Sequence, residues 1–591
     1  MLNYREMKTL RDFLLNQNND ELAVRVRLLG VKSKSQRKAD MVDAIEEVLL
    51  SDGLNSVWLR LDSLARFAVA EACYADDLSF REARFLAKYG KLPSFDKRGV
   101  KNWPLLILFL YKDFRRGVYV VPEDLAGKLK AFVEAPPEVE LKTTKELERE
   151  NGVYVRETER EALSEVLALM RLAEQGDLKV SEKTAMPSVA GIKKIHECLM
   201  VGDFYPPEVA SPPNKSKYDQ EIGAIKPVGW SRLLQNARYI GKVGAKSKLT
   251  PAGVKALSRP AHEVIEVLWS KWLDSDSFDE FNRVDDIKGQ KARGHMTSKP
   301  SRRDAIVDAL LDCPVGEWVE IEQFSKYMQA KGYTFEVSRD LWKLYLCDRE
   351  YGSFGYSDCG GWEIVQLRYI LAFLFEYAAT LGIVDIAYEH PKGALDNFSS
   401  QWGAEDLEWL SRYDGLRKIR LTPLGAYCLG MVHDFTPTAM ETKLLIEVMT
   451  NLQIRIVSGE IQPAEKMLLD TWAEPVAVNT WRLEAKRARK AIERGQNSAD
   501  FIAFLNGGDD QPLPETVVGF LKNAENDGKA IKSQGEAQLF RCRDSKTAEM
   551  VAAQKDLKNR CFQLGGDQLV VPAKHVVKFR KVVQSLGLGI V

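Results

Sequence analysis

Leu249-Thr250-Pro251-Ala252-Gly253 and Leu421-Thr422-Pro423-Leu424-Gly425 are the two stretches on which the reading of this chain turns. In each, the threonine is placed to cap a helix. The proline falls in that helix's first turn, where no N–H is needed, and the leading leucine closes a core. An apolar helical segment precedes each one. Leu233-Leu234-Gln235-Asn236-Ala237-Arg238-Tyr239-Ile240 and a glycine-punctuated basic turn lead into the first. Ile370-Leu371-Ala372-Phe373-Leu374-Phe375-Glu376-Tyr377 and a longer insertion lead into the second. Both predict a helix, then a hairpin whose returning strand runs into another helix. A pattern that occurs twice predicts a repeated module.

Helix, hairpin and LTPxG in this order resemble winged helices, in which the hairpin is the wing. The expected fold is α+β: mainly α with small β-hairpins, multi-domain, with winged-helix-like modules in tandem at 151–260 and 261–435. Winged helices bind DNA in some proteins and only other proteins elsewhere. The first wing carries Lys242, Lys246 and Lys248 and is basic enough to touch phosphates, so DNA contact is expected there. The second carries Arg417, Lys418 and Arg420 behind several acids and supports no such expectation. Between the modules, Ile287 to Arg303 holds Lys288, Lys291, Arg293, Lys299, Arg302 and Arg303. It reads as a strand-tracking basic segment or as a solvated loop leading into a helix, Arg303 to Leu311; Gly289 and Gly294 favour the loop.

Outward from the repeats, the N-terminal part is helical. Leu10, Phe13 and Leu14 fall at helical spacing, and Leu22, Val24, Val26, Leu28 and Leu29 form a second apolar set closed by Gly30. A polar loop, Val31 to Asp40, leads to a helix with Met41, Val42, Ile45, Val48 and Leu49 on one side. With Lys32, Lys34, Arg37 and Lys38 in or beside the loop, residues 1–50 resemble the SAP motif, a small module that binds DNA backbone. A capped helical hairpin with a solvated basic face reads the same residues equally well. Within 51–150, Trp58, Leu59, Leu61, Leu64, Phe67 and Ala68 predict a buried helical stripe. Pro136-Pro137 and the charged run Glu138 to Glu150 then predict an exposed linker or a solvated helix.

The densest basic cluster lies near the C-terminus. Trp481, Ala485, Ala488 and Ile492 are spaced to make a buried helix face, while Arg482, Lys486, Arg487, Arg489, Lys490 and Arg494 project largely elsewhere, offset by Glu484 and Glu493. Contacts from these side chains to several phosphates would make binding steeply salt-dependent. A solvated helix paired with Asp509, Asp510 and Glu515 is the plainer alternative. No side chain is assigned to a base edge, so no sequence specificity is expected. Trp269, Trp272, Trp318, Trp342 and Trp362 are spaced as core anchors rather than as stacking platforms.

Several phrases in order carry a family resemblance: Asp177 to Ser188, a short strand running into a polar turn; Ser298 to Trp318, with Arg302-Arg303 before a helix and Pro314-Val315-Gly316-Glu317-Trp318 after it; and Tyr369-Ile370-Leu371 with its helix, ending in Gly382-Ile383-Val384-Asp385. Trp481-Arg482-Leu483 running into a helix, Phe501 to Leu505, Pro512 to Val517 and a helix over Val517 to Glu525 continue it. Together they resemble bacterial helicase-associated proteins whose C-terminal part, 436–591 here, is similar to the N-terminal domain of XPB-type helicases. In that family the region contacts DNA or regulates an attached motor. The resemblance implies a protein acting beside a separate helicase or nuclease, because no motor is present here.

Composition bounds what remains. The chain has 591 residues, 45% hydrophobic and 28% charged, enough for about four domains. Lys plus Arg and Asp plus Glu both number 84, which excludes a uniformly basic protein and leaves only local basic faces. Eight cysteines lie far apart without a CxxC, which points to reduced thiols, and six histidines show no HxxxH, so no metal site is expected. The start, Met1 to Glu6, lacks a signal-peptide core, and the longest apolar run, Pro104 to Tyr111, is far short of the ~18–20 residues that span a bilayer. A cytoplasmic protein without membrane contact is expected. Gly241-Lys242-Val243-Gly244-Ala245-Lys246-Ser247 is the nearest approach to a phosphate-binding loop, but its glycine spacing is wrong. There is no GxSxG, and the acid pairs Asp285-Asp286 and Asp509-Asp510 read as solvated charge. The expected function is a non-catalytic, cofactor-free DNA-binding accessory protein in DNA repair or anti-phage defence, making backbone contacts. The alternative is a scaffold whose winged helices bind only protein partners.

Overall fold

A computed structural model describes residues 8–95, 103–148, 150–211, 219–292, 294–356, 361–437, 444–509, 511–531, 533 and 535–591. Met1 to Glu6, Arg293, Cys359 and Asp510, considered above, lie outside the described residues. The chain is mixed α and β, with small antiparallel sheets. It divides into two compact units: Met1–Glu441 with Ile461–Met467, and Thr442–Glu460 with Leu468–Val591. Among the described residues no helix is long and apolar enough to cross a membrane.

In the first unit, residues from Leu10 to Val133 share one core. Helix α1 (Asn19–Leu29) stops at Gly30, whose φ of 73° is left-handed, and α2 (Lys38–Leu49) buries Met41, Val42, Ile45 and Leu49. The stripe expected at 58–68 is broken: Leu59 is 62% exposed and Phe67 39%. A 3.6-residue period runs only within one helix, and here Gly53–Trp58 ends before Asp62 caps a new helix, Ser63–Tyr74. A three-stranded sheet of Ser79–Phe80, Val118–Val120 and Tyr111–Asp113, unforeseen in the sequence, completes this core.

A second core runs from Ala162 to Leu424 and takes in both repeats. The first repeat is α3 (Thr158–Gln175), a short extended segment at 178–180, α4 (Val189–His196), α5 (Lys226–Asn236), and the hairpin β1 (Ile240–Val243) with β2 (Lys246–Leu249). The extended segment lies along the hairpin: Ser247 donates its N–H to Leu178 O at 2.8 Å, and Val180 N–H donates to Ala245 O at 2.9 Å. The second repeat has the same order. It is α6 (Lys299–Leu311), β3 (Trp318–Glu320), α7 (Ile321–Lys331), a continuous helix α8 over 362–378, then β4 (Val384–Tyr388) and β5 (Leu416–Leu421). Here β3 pairs with β5, and Tyr154–Arg156 adds a fourth strand beside β4. The first and last parts of α8 are π-wound, a geometry short runs adopt under local packing demands.

The two LTPxG stretches do the same physical job. Thr250 Oγ accepts Gly253 N–H at 3.1 Å, and Thr422 Oγ accepts Gly425 N–H at 2.8 Å. A Cβ on Gly253 would lie 2.1 Å from Tyr239 O, and one on Gly425 2.2 Å from Ile383 O. Each glycine is required because the helix start is pressed against the residue that opens its hairpin.

The third helices, α5 and α8, cross where Gly229 meets Glu376. Along α5, Lys226 through Ser231, Leu233 and Leu234 are all buried. Along α8, every residue from Leu367 to Ala378 is buried.

In the second unit, strands Leu445–Val448, Gln453–Ser458, Thr480–Leu483 and Ala473–Ala477 make an antiparallel sheet in that order. Helix α9 (Ala485–Glu493) follows, then Ser498–Gly508 and Glu515–Gly528. Trp481 belongs to a strand, not to α9, and Ala485 is exposed, so the buried side of α9 is Ala488, Ala491 and Ile492. A terminal lobe contains β6 (Ala537–Arg541), helix Ser545–Ala552, β7 (Phe562–Gln563), β8 (Gln568–Pro572) and α10 (Val576–Ser585) around its own small core.

Candidate nucleic-acid interface

The basic residues singled out in the sequence have different fates. Lys32, Lys34 and Arg37 are exposed on the loop between α1 and α2, and Lys38 is half-buried at the start of α2. The loop is ordered from within: Ser35 Oγ accepts Arg37 N–H at 3.0 Å and donates to Asp40. On the first hairpin Lys242, Lys246 and Lys248 are exposed. The register puts Lys246 opposite Val243 and Lys248 opposite Gly241, so these two lysines share one face, while Lys242 lies opposite the buried Ser247 and donates to Glu182 O.

Arg302 and Arg303 are not surface groups, which corrects the phosphate-contacting role expected for them. Both are fully buried. Arg302 grips both carboxylate oxygens of Asp279 at 2.9 and 3.0 Å and donates to the carbonyls of Thr297 and Val337. Arg303 holds Glu280 at 2.6 and 3.0 Å and spends its remaining N–H groups on carbonyls from Trp272 to Phe278. Glu280 also accepts from Trp272 Nε1 at 2.7 Å and the Tyr369 hydroxyl at 2.9 Å. The signal was in the helix itself. Arg302 and Arg303 precede Ile306, Ala309 and Leu310 at three-, four- and seven-residue intervals and so lie on the apolar face of α6.

Three further buried networks carry charge that the sequence reading missed. Lys226, 1% exposed, reaches Glu161 at 2.6 Å and Glu165 at 2.7 Å. Arg156 forks onto Glu161 at 2.6 and 2.7 Å, and Trp230 Nε1 donates to Glu165 at 2.9 Å. Burial pushes the Glu165 carboxyl up. It acts on Glu161 too, but there Arg156 and Lys226 prevail and hold the carboxyl low. Arg368 forks onto Asp414, and Arg283 shares its Nε–H between both oxygens of Glu376, which also accepts from the Tyr413 hydroxyl. Burial pushes the thiols of Cys73, Cys198 and Cys313 up to about 12, so they are protonated at neutral pH.

A pocket of about 650 Å³ lies between α3 and the start of the helix after β5, lined by Glu157, Glu159, Asp385, Arg420 and Glu465 among others. Burial raises the Glu159, Asp385 and Glu465 carboxyls. Each is nevertheless in structural use. Glu159 accepts Leu424 N–H, Asp385 accepts from Arg420 and Thr158, and Glu465 accepts Gln462 N–H.

The basic cluster of helix α9 also stays on the surface. Lys486, Arg489 and Lys490 are exposed on one side with Glu493, and Arg494 is exposed at the C-cap. Arg487 is only partly exposed and already engaged, donating to Glu484 at 3.1 Å and to Asp470 O at 2.8 Å. Lys486, Arg489, Lys490 and Arg494 make no ion pair among the described residues, so their charge faces solvent.

The tryptophans divide too. Trp269, Trp272 and Trp318 are buried and Trp362 half-buried, but Trp342 is 53% exposed. It sits in a single 3-10 turn, Leu341–Lys343, with its ring laid on Gly355 and its neighbour Tyr356 at 4.6 Å between centroids. Compared with known proteins, the chain matches no family model, and no curated protein matches it.

Proposed function

We propose that this chain is a non-catalytic accessory protein that grips nucleic-acid backbone without reading sequence, working beside a separate helicase or nuclease. The observation that carries this is the solvent face of α9, where Lys486, Arg489, Lys490 and Arg494 stand without carboxylate partners among the described residues. The lysines of the α1–α2 loop and of the β1–β2 hairpin add two further exposed basic sites. In each repeat the order of helix, strand, helix, helix and hairpin supports a winged-helix reading. The third helix of such a module is the one that enters a DNA groove. Here α5 and α8 are buried against each other, so contact falls to backbone-directed lysines and arginines.

The mutual burial of α5 and α8 also favours a second reading, a scaffold on which the repeats hold protein partners and touch no nucleic acid. One experiment separates the two. Fluorescence anisotropy across a salt series, on single-stranded, duplex and forked DNA, compares the wild-type chain with the triple variant Lys486→Gln, Arg489→Gln, Lys490→Gln. Each lost phosphate contact lowers the slope of log K against log salt by about 0.9 on duplex. A slope reduced by about 2–3 supports the α9 interface. An unchanged slope and affinity refute it, and no binding by the wild type at low salt moves the assignment to the scaffold.

A further inference from the structure

The terminal lobe, 536–591, carries ten Lys and Arg against five Asp and Glu in a chain whose total is balanced. Three of the five acids are already engaged: Asp567 by Arg541 at 2.8 Å, Asp544 by Arg543 at 3.1 Å, and Asp556 by Lys578 at 3.4 Å. Lys555, Lys558 and Lys574 are exposed, and they and the half-buried Arg560 have no carboxylate partner among the described residues. Of these, Arg560 and Lys574 come from separate segments but converge near the start of α10. Asp556 pairs with Lys578 of α10 and its carbonyl accepts from Arg560 at 3.2 Å, which ties the 555–560 turn to α10. Slight desolvation, then Lys574, Arg560 and Lys578, hold the His575 imidazole there below its ordinary value. Lys574 lies where β8 ends and α10 begins, and Arg560 stands two residues before Phe562 at the start of β7.

The lobe's sheet has one covered and one open face. Leu569 and Val571 of β8 point into the core with Phe579 of α10, and Phe540 of β6 packs on Phe579 at 4.7 Å between ring centroids. The alternate positions face out. Strand register sets Leu539 opposite Val570 and Val570 opposite Phe562, a row of three apolar side chains across all three strands. Leu539 is 61% exposed, Phe562 51%, and Leu564, just beyond β7, 59%. A row across three strands spans about 10 Å. That is room for two or three bases, as on other open sheets that stack unpaired bases on their aromatics.

We propose that this open face binds single-stranded nucleic acid, with bases on the Leu539–Val570–Phe562 row and phosphates on the cations at its Arg560 and Lys574 end. Charge selects the occupant. A face with a net excess of cations at its rim and an aromatic, Phe562, at the edge of its apolar row nearest Arg560 matches the alternation of phosphate and base along a strand. Unpaired bases are required, because a duplex presents phosphate and sugar to a protein surface and keeps its base faces stacked within the helix. The inference rests on the reading of the protein as a nucleic-acid binder but uses no residue of α9.

The test uses the full chain and fluorescence anisotropy with labelled oligothymidylate of about 20 nucleotides, an abasic strand of equal length and a duplex. Phe562→Ala is expected to weaken oligothymidylate binding about 5- to 150-fold, with duplex affinity within about twofold and the salt slope unchanged. Phe562→Trp is expected to restore binding, and Lys574→Gln with Arg560→Gln to lower the single-strand salt slope by about 1.4. The inference is overturned if Phe562→Ala binds oligothymidylate like the wild type, or if the abasic strand binds as tightly as oligothymidylate. If that happens while the α9 triple variant still loses binding, the backbone-gripping function stands without this face. No binding of any strand by the wild type overturns both. Loss of self-association in Phe562→Ala, with oligothymidylate affinity unchanged, assigns the face to a second copy of the chain and overturns the inference as well.

Discussion

Replacing Lys226 by methionine removes one ammonium from a site that is 1% exposed and leaves its two carboxylate partners in place. The cost can be worked from what each partner keeps. Glu161 retains Arg156 on both oxygens, so it stays paired. Glu165 retains only the Trp230 N–H at 2.9 Å and the Met200 N–H at 3.2 Å, and becomes the uncompensated charge. One broken buried pair costs about 3–5 kcal/mol, and methionine fills the volume, so cavity terms add little. Protonation then offers an escape. Burial already raises the Glu165 carboxyl above its ordinary 4.5, against the pull of Lys226. A carboxyl raised on folding binds more protons folded than unfolded. Its contribution is therefore full below the unfolded value and is lost as pH climbs through the folded one. Without Lys226 the folded value rises further, so the variant's deficit should be small near pH 5 and grow towards pH 8. Denaturant unfolding followed by tryptophan fluorescence at both pH values measures this. Lys226→Met with Glu165→Gln is expected to recover at least about 2 kcal/mol at the higher pH, since a neutral amide needs no counter-charge. A deficit under about 1 kcal/mol at pH 8, or one equal at both pH values, refutes the reasoning.

Arg303→Gln should cost about 3 kcal/mol, the lower end for a broken buried pair, because Glu280 keeps the Trp272 and Tyr369 hydrogen bonds. At a temperature where the variant is folded, its salt slope for DNA should equal that of the wild type; a reduced slope would return Arg303 to the surface. Gly253→Ala and Gly425→Ala should each lose about 2–3 kcal/mol through overpacking against a carbonyl oxygen, read as a fall in the midpoint of thermal unfolding. Alanine tolerated at either position within about 0.5 kcal/mol would show that the helix start is not pressed on its hairpin.

The repeats were legible because their signals are local. Threonine, proline and glycine in LTPxG act within four residues, and Gly30 ends α1 by its own backbone conformation. What escaped depended on distance along the chain. Arg302 and Arg303 meet acids 23 residues upstream, and Lys226 meets Glu161 and Glu165 from 65 and 61 residues away, so a basic residue in the sequence carries no mark of whether it faces water. Leu59 and Phe67 were misplaced by reading one period across two helices. Of the candidate site, α9 was visible as a run of charge. The terminal cations were not, because they are scattered from 555 to 578 and only the turns around β7, β8 and α10 collect them.

The crossing of α5 and α8 decides where the chain can be dissected. A module that occurs twice normally gives two beads that can be cut apart. Here each copy supplies the wall of the other, and Trp230 and Phe375 belong to the same interior. A cut between the copies would leave each half with a buried helix facing water. Neither half is expected to fold alone, and the pair is expected to unfold as one body.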